Sequence, residues 1–492
     1  MARIIAGALT KGVELTVASD NPVTVAAGAS ILTGDLLGLN GTGGTAWDIS
    51  NLGAVKAATT AISIAGAGTV HNGDATHASA LAEAAGQGIL IGGAGTVTND
   101  GTVTATGSDS MGVLVQAGGS VENRATGNIS GIHFGVNIAG ASGQVTNLGT
   151  ITGTEQWTGA GVALDNGGTV VNGAEGGTTA RITGGSGAGV FITGGADDSV
   201  VNFGTIVGLG DAGRGVALWS GGTITNGSAT SAGATIYAAQ TGIEVFGGAG
   251  TVINHGSVRG DSSKGDPSSG VYLGAGGTVS NGTGGQIVGG FQGVRIAGAA
   301  GVVTNSGTIS GGANNGILFD LGGSVTNAAG GLITGGVRGL SFFGSMFRSS
   351  VTNDGTITGI IGIQMPVIGA TLVNGGSIVG TGGYAVVGTS GNNLVVVRPG
   401  AEFEARSTSS ASAPACCAWR PAPPRERCPA LAPSSWVSTW WRWNPAPRGA
   451  LPATSPASAA PSCCAASTRA MPSICNPSPR PCQVLRTTAT RT

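Results

Sequence analysis

A short sequence unit returns at a nearly constant interval along most of this chain. GTVTNDGTVTATG at residues 95–107 returns as GQVTNLGTITG at 143–153, GTVINHGSVRG at 250–260 and GVVTNSGTISG at 301–311. The shared element reads apolar-x-Asn-x-Gly-Thr/Ser-apolar-x-Gly, where x is a variable residue. Its Asn recurs every 21 to 30 residues, at Asn51, Asn72, Asn99, Asn123, Asn147, Asn172, Asn202, Asn226, Asn254, Asn281, Asn305, Asn327, Asn353 and Asn374. An internal repeat of this length is typical of solenoid proteins.

A second series of short apolar segments lies between these units. It begins with GVLV at 112–115 and GVNI at 135–138 and continues to GILF at 316–319. Each repeat thus has three segments in which β-branched residues and Thr alternate with small residues. Alternation with period two between Gly and Asn predicts strands. We therefore predict an all-β, right-handed parallel β-helix, a solenoid with three short strands per coil and about 14 coils.

The same alternation predicts which side chains face the core. Val136, Ile138, Val145 and Ile151 should each stack on their equivalents in the next coil, because alternate residues of a strand point to opposite faces. Asn suits a tight corner between strands, and stacked amides can hydrogen-bond to one another along the solenoid axis. We expect the fourteen asparagines to form such a column, which we call the Asn ladder.

The composition changes abruptly near residue 405. Of the 95 Gly, 94 precede this point, whereas all seven Cys follow it. Residues 1–405 carry 12 basic and 22 acidic side chains, and residues 406–492 carry ten Arg and one Glu. An acidic body argues against nucleic acid as a partner. We predict an N-terminal leader or capping region at 1–40, β-helix repeats at 41–405 and a disordered tail at 406–492 that is a frameshift product.

The stacked GTVTNxGTIxG units, with few charges and no Cys over residues 20–405, resemble the passenger region of bacterial autotransporters. These are the type V secreted proteins of Gram-negative outer membranes. GNNLVVVRPGAEFEA at 391–405 is similar to the segment that often closes such repeats. The resemblance implies a rod at the cell surface or outside the cell, held to the outer membrane only through a C-terminal translocator barrel. We expect this chain to lack both that translocator and a clear secretory leader.

Enzymes built on parallel β-helices need carboxylates gathered on neighbouring coils. In each coil, the strand that contains the GVxI or GVxL motif has one outward-facing position between the two apolar residues. We call the series of these positions along the coils the outward row. Its residues are Asn137, Ala163, Phe191, Ala217, Glu244, Tyr272, Arg295, Leu318, Ser341 and Gln364. Glu244 has no second acid in the row, which predicts a solvated strand face and no enzyme.

Metal and cofactor sites are not expected either. Asp197 and Asp198 form one acidic pair without the tandem copies of a calcium-binding repeat, so we predict a polar turn there. The seven Cys lack the spacing of zinc ligands, and residues 406–492 contain no His.

Arg259, Gly260 and Asp261 form a tripeptide associated with receptor binding. It begins at the end of a predicted strand and enters the polar segment DSSKGDPSS at 261–269. Surface loops on a rigid scaffold are common places for binding residues. An ordinary solvent-facing loop is the first interpretation of this segment, and a contact of the tripeptide with a host receptor or extracellular matrix is the alternative.

Two classes of function remain. The first is a non-enzymatic, surface-exposed or secreted β-helical passenger for adhesion or display, cut off before its translocator. The alternatives are a polysaccharide-acting β-helix enzyme, a phage-type fibre, or a truncated product without function. Acids clustered on adjacent coils would favour the enzyme, and a trimerising C-terminus would favour the fibre.

Overall fold

The computed structural model describes residues 2–405 except 156–158, 196, 262–267, 345–346, 367 and 389–391, together with two strands at 431–433 and 439–443. These residues form β-strands joined by turns and one 3-10 turn at Ala18–Asp20, and the described part of the chain contains no α-helix. The predicted all-β class is confirmed.

The strands are short, and most contain three to five residues. The first part of the chain contains β1 Arg3–Ile5, β2 Ala8–Leu9, β3 Val13–Leu15, β4 Val23–Val25, β5 Ser30–Leu32, β6 Leu37–Gly41, β7 Trp47–Asn51, β8 Ala54–Lys56, β9 Thr60–Ile64, β10 Gly68–Asn72, β11 Leu81–Ala84, β12 Gln87–Ile91, β13 Gly95–Asn99, β14 Thr102–Ala105, β15 Met111–Val115, β16 Gly119–Asn123 and β17 Asn128–Gly131. The middle part contains β18 Phe134–Ile138, β19 Gly143–Asn147, β20 Thr150–Gly153, β21 Ala160–Leu164, β22 Gly168–Asn172, β23 Arg181–Gly184, β24 Ala188–Ile192, β25 Ser199–Asn202, β26 Thr205–Gly208, β27 Arg214–Leu218, β28 Gly222–Asn226, β29 Thr235–Ala238, β30 Thr241–Val245, β31 Gly250–Asn254, β32 Ser257–Gly260, β33 Ser269–Leu273 and β34 Gly277–Asn281. The last part contains β35 Gln286–Gly289, β36 Gln292–Ile296, β37 Gly301–Asn305, β38 Thr308–Gly311, β39 Asn315–Phe319, β40 Gly323–Asn327, β41 Leu332–Gly335, β42 Arg338–Phe342, β43 Ser349–Asn353, β44 Thr356–Met365, β45 Ala370–Asn374, β46 Ser377–Gly388, β47 Asn393–Val397, β48 Glu402–Ala405, β49 Leu431–Pro433 and β50 Thr439–Trp443.

These strands form two parallel sheets, one of 18 strands and one of 32 strands. From β1 to β41 each strand pairs with the strand three positions later in the chain, so one coil contributes one strand to the first sheet and two to the second. In the last coils the two strands of the second sheet merge into single long strands, β44 and β46. The structure is therefore the predicted parallel β-solenoid with three strands per coil.

The solenoid begins earlier in the chain than the predicted boundary at residue 41. The strands β1 and β4 already pair in register with each other and with β7. Their last residues, Ile5 and Val25, occupy the position that Asn51 holds in the following coil. The Asn motif could not mark these coils because an aliphatic residue replaces the amide there.

The core is a stack of aliphatic columns. Within β31, Val252 is fully buried and pairs with Ile224 and Val279 in the neighbouring coils. The second sheet repeats this arrangement with Val258 and Ile287. A single coil cannot cover its own apolar face, so the burial of each coil depends on its neighbours.

The Asn ladder is present as a continuous chain of hydrogen bonds. Each Asn is the last residue of its strand and is at most 1% exposed. Its Nδ2 donates to Oδ1 of the Asn in the next coil, at 2.7–2.9 Å along the whole series from Asn51 to Asn374. The same Nδ2 also donates to backbone carbonyls, so no buried amide hydrogen is left without an acceptor.

The Gly two residues after the Asn is required by close packing in this corner. A Cβ atom at Gly256 would lie 2.2 Å from the carbonyl oxygen of Ala234 and 3.0 Å from Nδ2 of Asn226. Any side chain there would separate two coils at the ladder. The Asn-x-Gly spacing, which eight of the fourteen ladder asparagines have, therefore follows from the contact between successive corners.

Two strands continue the sheets beyond residue 405. Leu431–Pro433 pairs with residues 386–388 in the second sheet, and Thr439–Trp443 pairs with Asn393–Val397 in the first. An open sheet end presents unpaired N–H and C=O groups, which another segment can satisfy. The other residues of 406–492, for which we predicted disorder and a frameshift, lie outside the described residues.

Candidate functional site

The outward row is the first place to look for chemistry on this scaffold. Its predicted register is confirmed from Asn137 to Gln364, since each member pairs with the next along successive strands of the second sheet. Half of the row carries small or apolar side chains. Three consecutive coils within it carry Glu244, Tyr272 and Arg295.

Glu244 does not lie on a solvated face, contrary to our expectation. It is 6% exposed, and its carboxylate forms an ion pair with the guanidinium group of Arg214 in the preceding coil. Arg214 is the first residue of β27, a position that we did not examine in the sequence. Burial raises the pKa of the Glu244 carboxyl above its ordinary value, and the ion pair with Arg214 opposes that rise.

Arg295 is held in a second ion pair at the other end of this segment. Its Nη2 and Nε donate to Oδ2 of Asp320 at 2.7 and 3.2 Å. The guanidinium carbon lies 5.3 Å from the centre of the Tyr272 ring, and Phe246 contacts Tyr272 edge-on with ring centres 5.2 Å apart. The hydrogen bond with Asp320 raises the pKa of Arg295, which keeps it charged.

A shallow pocket of about 190 Å³ lies between these side chains. Arg214 lines it together with three residues of the outward row, Glu244, Tyr272 and Arg295. The first residues of the same three strands, Thr241, Ser269 and Gln292, also line it. Gln292 is 4% exposed, and its Oε1 is a buried acceptor that has no hydrogen-bond partner among the residues that the structure describes. We call this the outward pocket.

The receptor-type tripeptide remains attached to its coil. Arg259 and Gly260 belong to β32, and the backbone N–H of Asp261 donates to the carbonyl of Ala238 at 2.9 Å. Gly260 is buried, whereas the side chain of Arg259 is 54% exposed. Nη2 of Arg259 lies 3.4 Å from Oδ2 of Asp261, so the two charged groups contact each other on the surface. The predicted enlarged loop at 262–267 lies outside the described residues.

A larger pocket of about 320 Å³ lies on the outer face of the first sheet. Two of its charged groups, Asp100 and Arg124, pair with each other at 3.3 Å, and Asp74 contacts His77 at 2.8 Å. Hydrogen bonds from Thr76 and His77 lower the pKa of Asp74 to about 2. Among the residues that the structure describes, no three His, Cys, Asp or Glu side chains come together as a group that could hold a metal ion.

The predicted polar turn at Asp197 and Asp198 contains one unusual group. Asp198 is 1% exposed, its Oδ1 accepts a hydrogen bond from the N–H of Gly168 at 3.1 Å, and its Oδ2 has no partner. Burial raises the pKa of this carboxyl. The residue is therefore a buried acid within the scaffold instead of a solvated turn residue.

Comparisons of this chain with protein-family models, curated proteins and solved structures give no match. Within the part of the chain that the structure describes, no helix is long and apolar enough to cross a membrane.

Proposed function

We propose that this chain is a non-enzymatic β-solenoid rod, displayed at the cell surface or secreted, that serves adhesion or display in the manner of the autotransporter passengers it resembles. The observation that carries the proposal is the unbroken stacking of coils. The first sheet contains 18 strands, which at the spacing of paired strands corresponds to about 80 Å. A long, regular scaffold of this kind is suited to presenting a binding surface at a distance from its point of attachment.

The arrangement of acids favours a rod over a polysaccharide-acting enzyme. Glu244 and Asp320 are the two acids of the ion pairs beside the outward pocket, and each is already paired with an Arg. Their coils are three strand spacings apart, or about 14 Å. The two carboxyl groups of a glycosidase lie about 5–10 Å apart, so this pair does not suit glycoside hydrolysis.

Surface display can be tested in the cells that naturally make the chain. An antibody against the purified full chain is applied to intact and to permeabilised cells, with a cytosolic enzyme as the control antigen. We expect labelling of intact cells or recovery of the chain from the medium, without the control antigen. Labelling only after permeabilisation would contradict surface display.

The adhesion part of the proposal has its own test at Arg259 and Asp261. Animal cells are allowed to attach to a surface coated with the full chain, with Asp261→Glu, or with Asp354→Glu as a matched control. Asp354 is also a half-exposed acid paired with an Arg, Arg398, at 3.1 Å. We expect Asp261→Glu alone to reduce attachment several-fold. Absence of attachment to the unmodified chain would remove adhesion from the proposal.

A further inference from the structure

The outward pocket contains a buried amide oxygen, that of Gln292, for which the described residues provide no hydrogen-bond donor. A buried acceptor without a hydrogen bond costs about 1–3 kcal/mol, so proteins rarely leave one without a reason. The position itself does not impose this cost. Gln87 is the first residue of the equivalent strand near the N-terminus, and its Oε1 accepts a hydrogen bond from Oγ1 of Thr60 at 3.0 Å. Gln292 therefore points to a partner other than the described residues of the chain.

The next coil repeats the same feature. Asn315 is the first residue of β39, as Gln292 is of β36, and the two strands pair in parallel. Asn315 is 2% exposed, and its Oδ1 also has no hydrogen-bond partner. Two buried acceptors on adjacent coils are about 5 Å apart along the solenoid axis. A ligand that satisfies both must extend along that axis.

The charges in the pocket favour a neutral ligand. Arg214 is paired with Glu244 and Arg295 with Asp320, so the four charged side chains sum to zero. An anion would have to compete with both carboxylates for the guanidinium groups. The pocket instead offers acceptors at Glu244 and Gln292, donors at the two Arg, and hydroxyl groups at Tyr272 and Ser269. Such a mixture matches a ligand whose groups both donate and accept.

We infer that the outward pocket binds a neutral saccharide, which has a hydroxyl group that donates to Gln292 and a chain that extends along the solenoid axis toward Asn315 in the next coil. The pocket is smaller than the roughly 300–1,000 Å³ of sites for larger small molecules, so it holds a single sugar unit of that chain. Hydroxyl groups supply donors to the buried amide oxygens and accept from Arg214 and Arg295. This inference goes beyond display and does not depend on where the chain is located.

The test applies the purified full chain to an immobilised array of oligosaccharides. The array contains neutral chains of hexoses and N-acetylhexosamines, together with chains that carry uronate or sulfate groups. Binding is then measured for Gln292→Met, which removes the amide oxygen at similar size, and for Gln87→Met as the matched control. We expect the unmodified chain to bind neutral members, Gln292→Met to bind them about tenfold or more weakly, and Gln87→Met to bind them unchanged.

Thermal unfolding separates a ligand site from a structural water site. If a saccharide is the partner, Gln292→Met removes an unsatisfied acceptor and leaves the melting temperature unchanged or higher. A lower melting temperature would assign the amide oxygen to a buried water that supports the fold, and would overturn the inference. It would equally be overturned by binding to charged members only, by no binding to the neutral members, or by unchanged binding in Gln292→Met.

Discussion

The Asn ladder and the outward row run through the same coils, yet they differ in almost every respect. The ladder has one residue type in 14 coils, and all of its members are buried. The outward row changes from Asn to Ala, Phe, Glu, Tyr, Arg and other residues over ten coils. Because the backbone repeat is the same, the difference comes from what each side chain must contact.

A ladder residue must match both of its neighbours. Asn254 accepts from Nδ2 of Asn226 and donates to Oδ1 of Asn281, at 2.9 and 2.8 Å. Only a side chain with a donor and an acceptor at fixed positions can do both. An outward residue that meets solvent carries no such constraint, so the few outward residues that are buried and charged are where function is best sought.

The loss of stability on substitution should differ most between an inward-facing and an outward-facing residue in the aliphatic columns of the core. Ile287→Ala should lower the free energy of unfolding by about 2–5 kcal/mol, because Ile287 is fully buried between Val258 and Ile309. Val288→Ala, one residue later on the outer face, should change it by less than about 0.5 kcal/mol. Urea unfolding followed by circular dichroism measures both. Equal losses would mean that the two faces are not distinct.

Within the ladder, a central position should matter more than the last one. Asn254→Ala removes two bonds between asparagines and should cost about 2–3 kcal/mol. Asn374→Ala removes one bond between asparagines, the one from Asn353, because the Nδ2 of Asn374 donates to backbone carbonyls only, and should cost about 1 kcal/mol. Urea unfolding of the two variants gives the difference, and a larger loss at Asn374 would contradict a continuous ladder.

The sequence was sufficient for the features that repeat. The Asn period set the register of the coils, and the order of residues in the outward row followed from it, as the pairing of Glu244 with Tyr272 and of Tyr272 with Arg295 shows. The first coils escaped this reasoning because Ile5 and Val25 replace Asn at the marker position.

The outward pocket could not be predicted in the same way. The burial of Glu244 comes from Arg214, which belongs to another coil and to another position in its strand. Similarly, Gln87 and Gln292 have the same place in their strands and each faces a hydroxyl residue in the preceding coil, but of the two only Gln87 accepts a hydrogen bond from it. These properties depend on which side chains meet across coils, and a repeat pattern contains no information about its variable positions.

A smaller effect is expected at Asp198, a buried acid of the scaffold that lowers the free energy of unfolding when it is charged. Because its carboxyl has a raised pKa in the folded chain, its contribution is fully present at acidic pH and is lost as pH rises through that pKa. Asp198→Asn keeps an oxygen for the N–H of Gly168 and carries no charge. The variant should be more stable by about 1 kcal/mol at pH 7, and no more stable below the pKa of an unfolded Asp. Thermal unfolding at pH 3 and pH 7 checks this; a gain at both values would require another cause.

The smallest effect is expected where two outward residues pair but remain exposed. Lys56 and Glu83 lie opposite each other on adjacent coils, with Nζ and Oε2 2.8 Å apart, and their side chains are 45% and 37% exposed. Water screens such a pair, so Lys56→Ala should cost no more than about 0.5 kcal/mol, and high salt should abolish even that loss. Urea unfolding at low and high salt measures it. A loss as large as that of Asn254→Ala would mean that ion pairs on the outer face also stabilise the stack of coils. The variety of residue types in the outward row could then not be explained by a lack of contacts between coils.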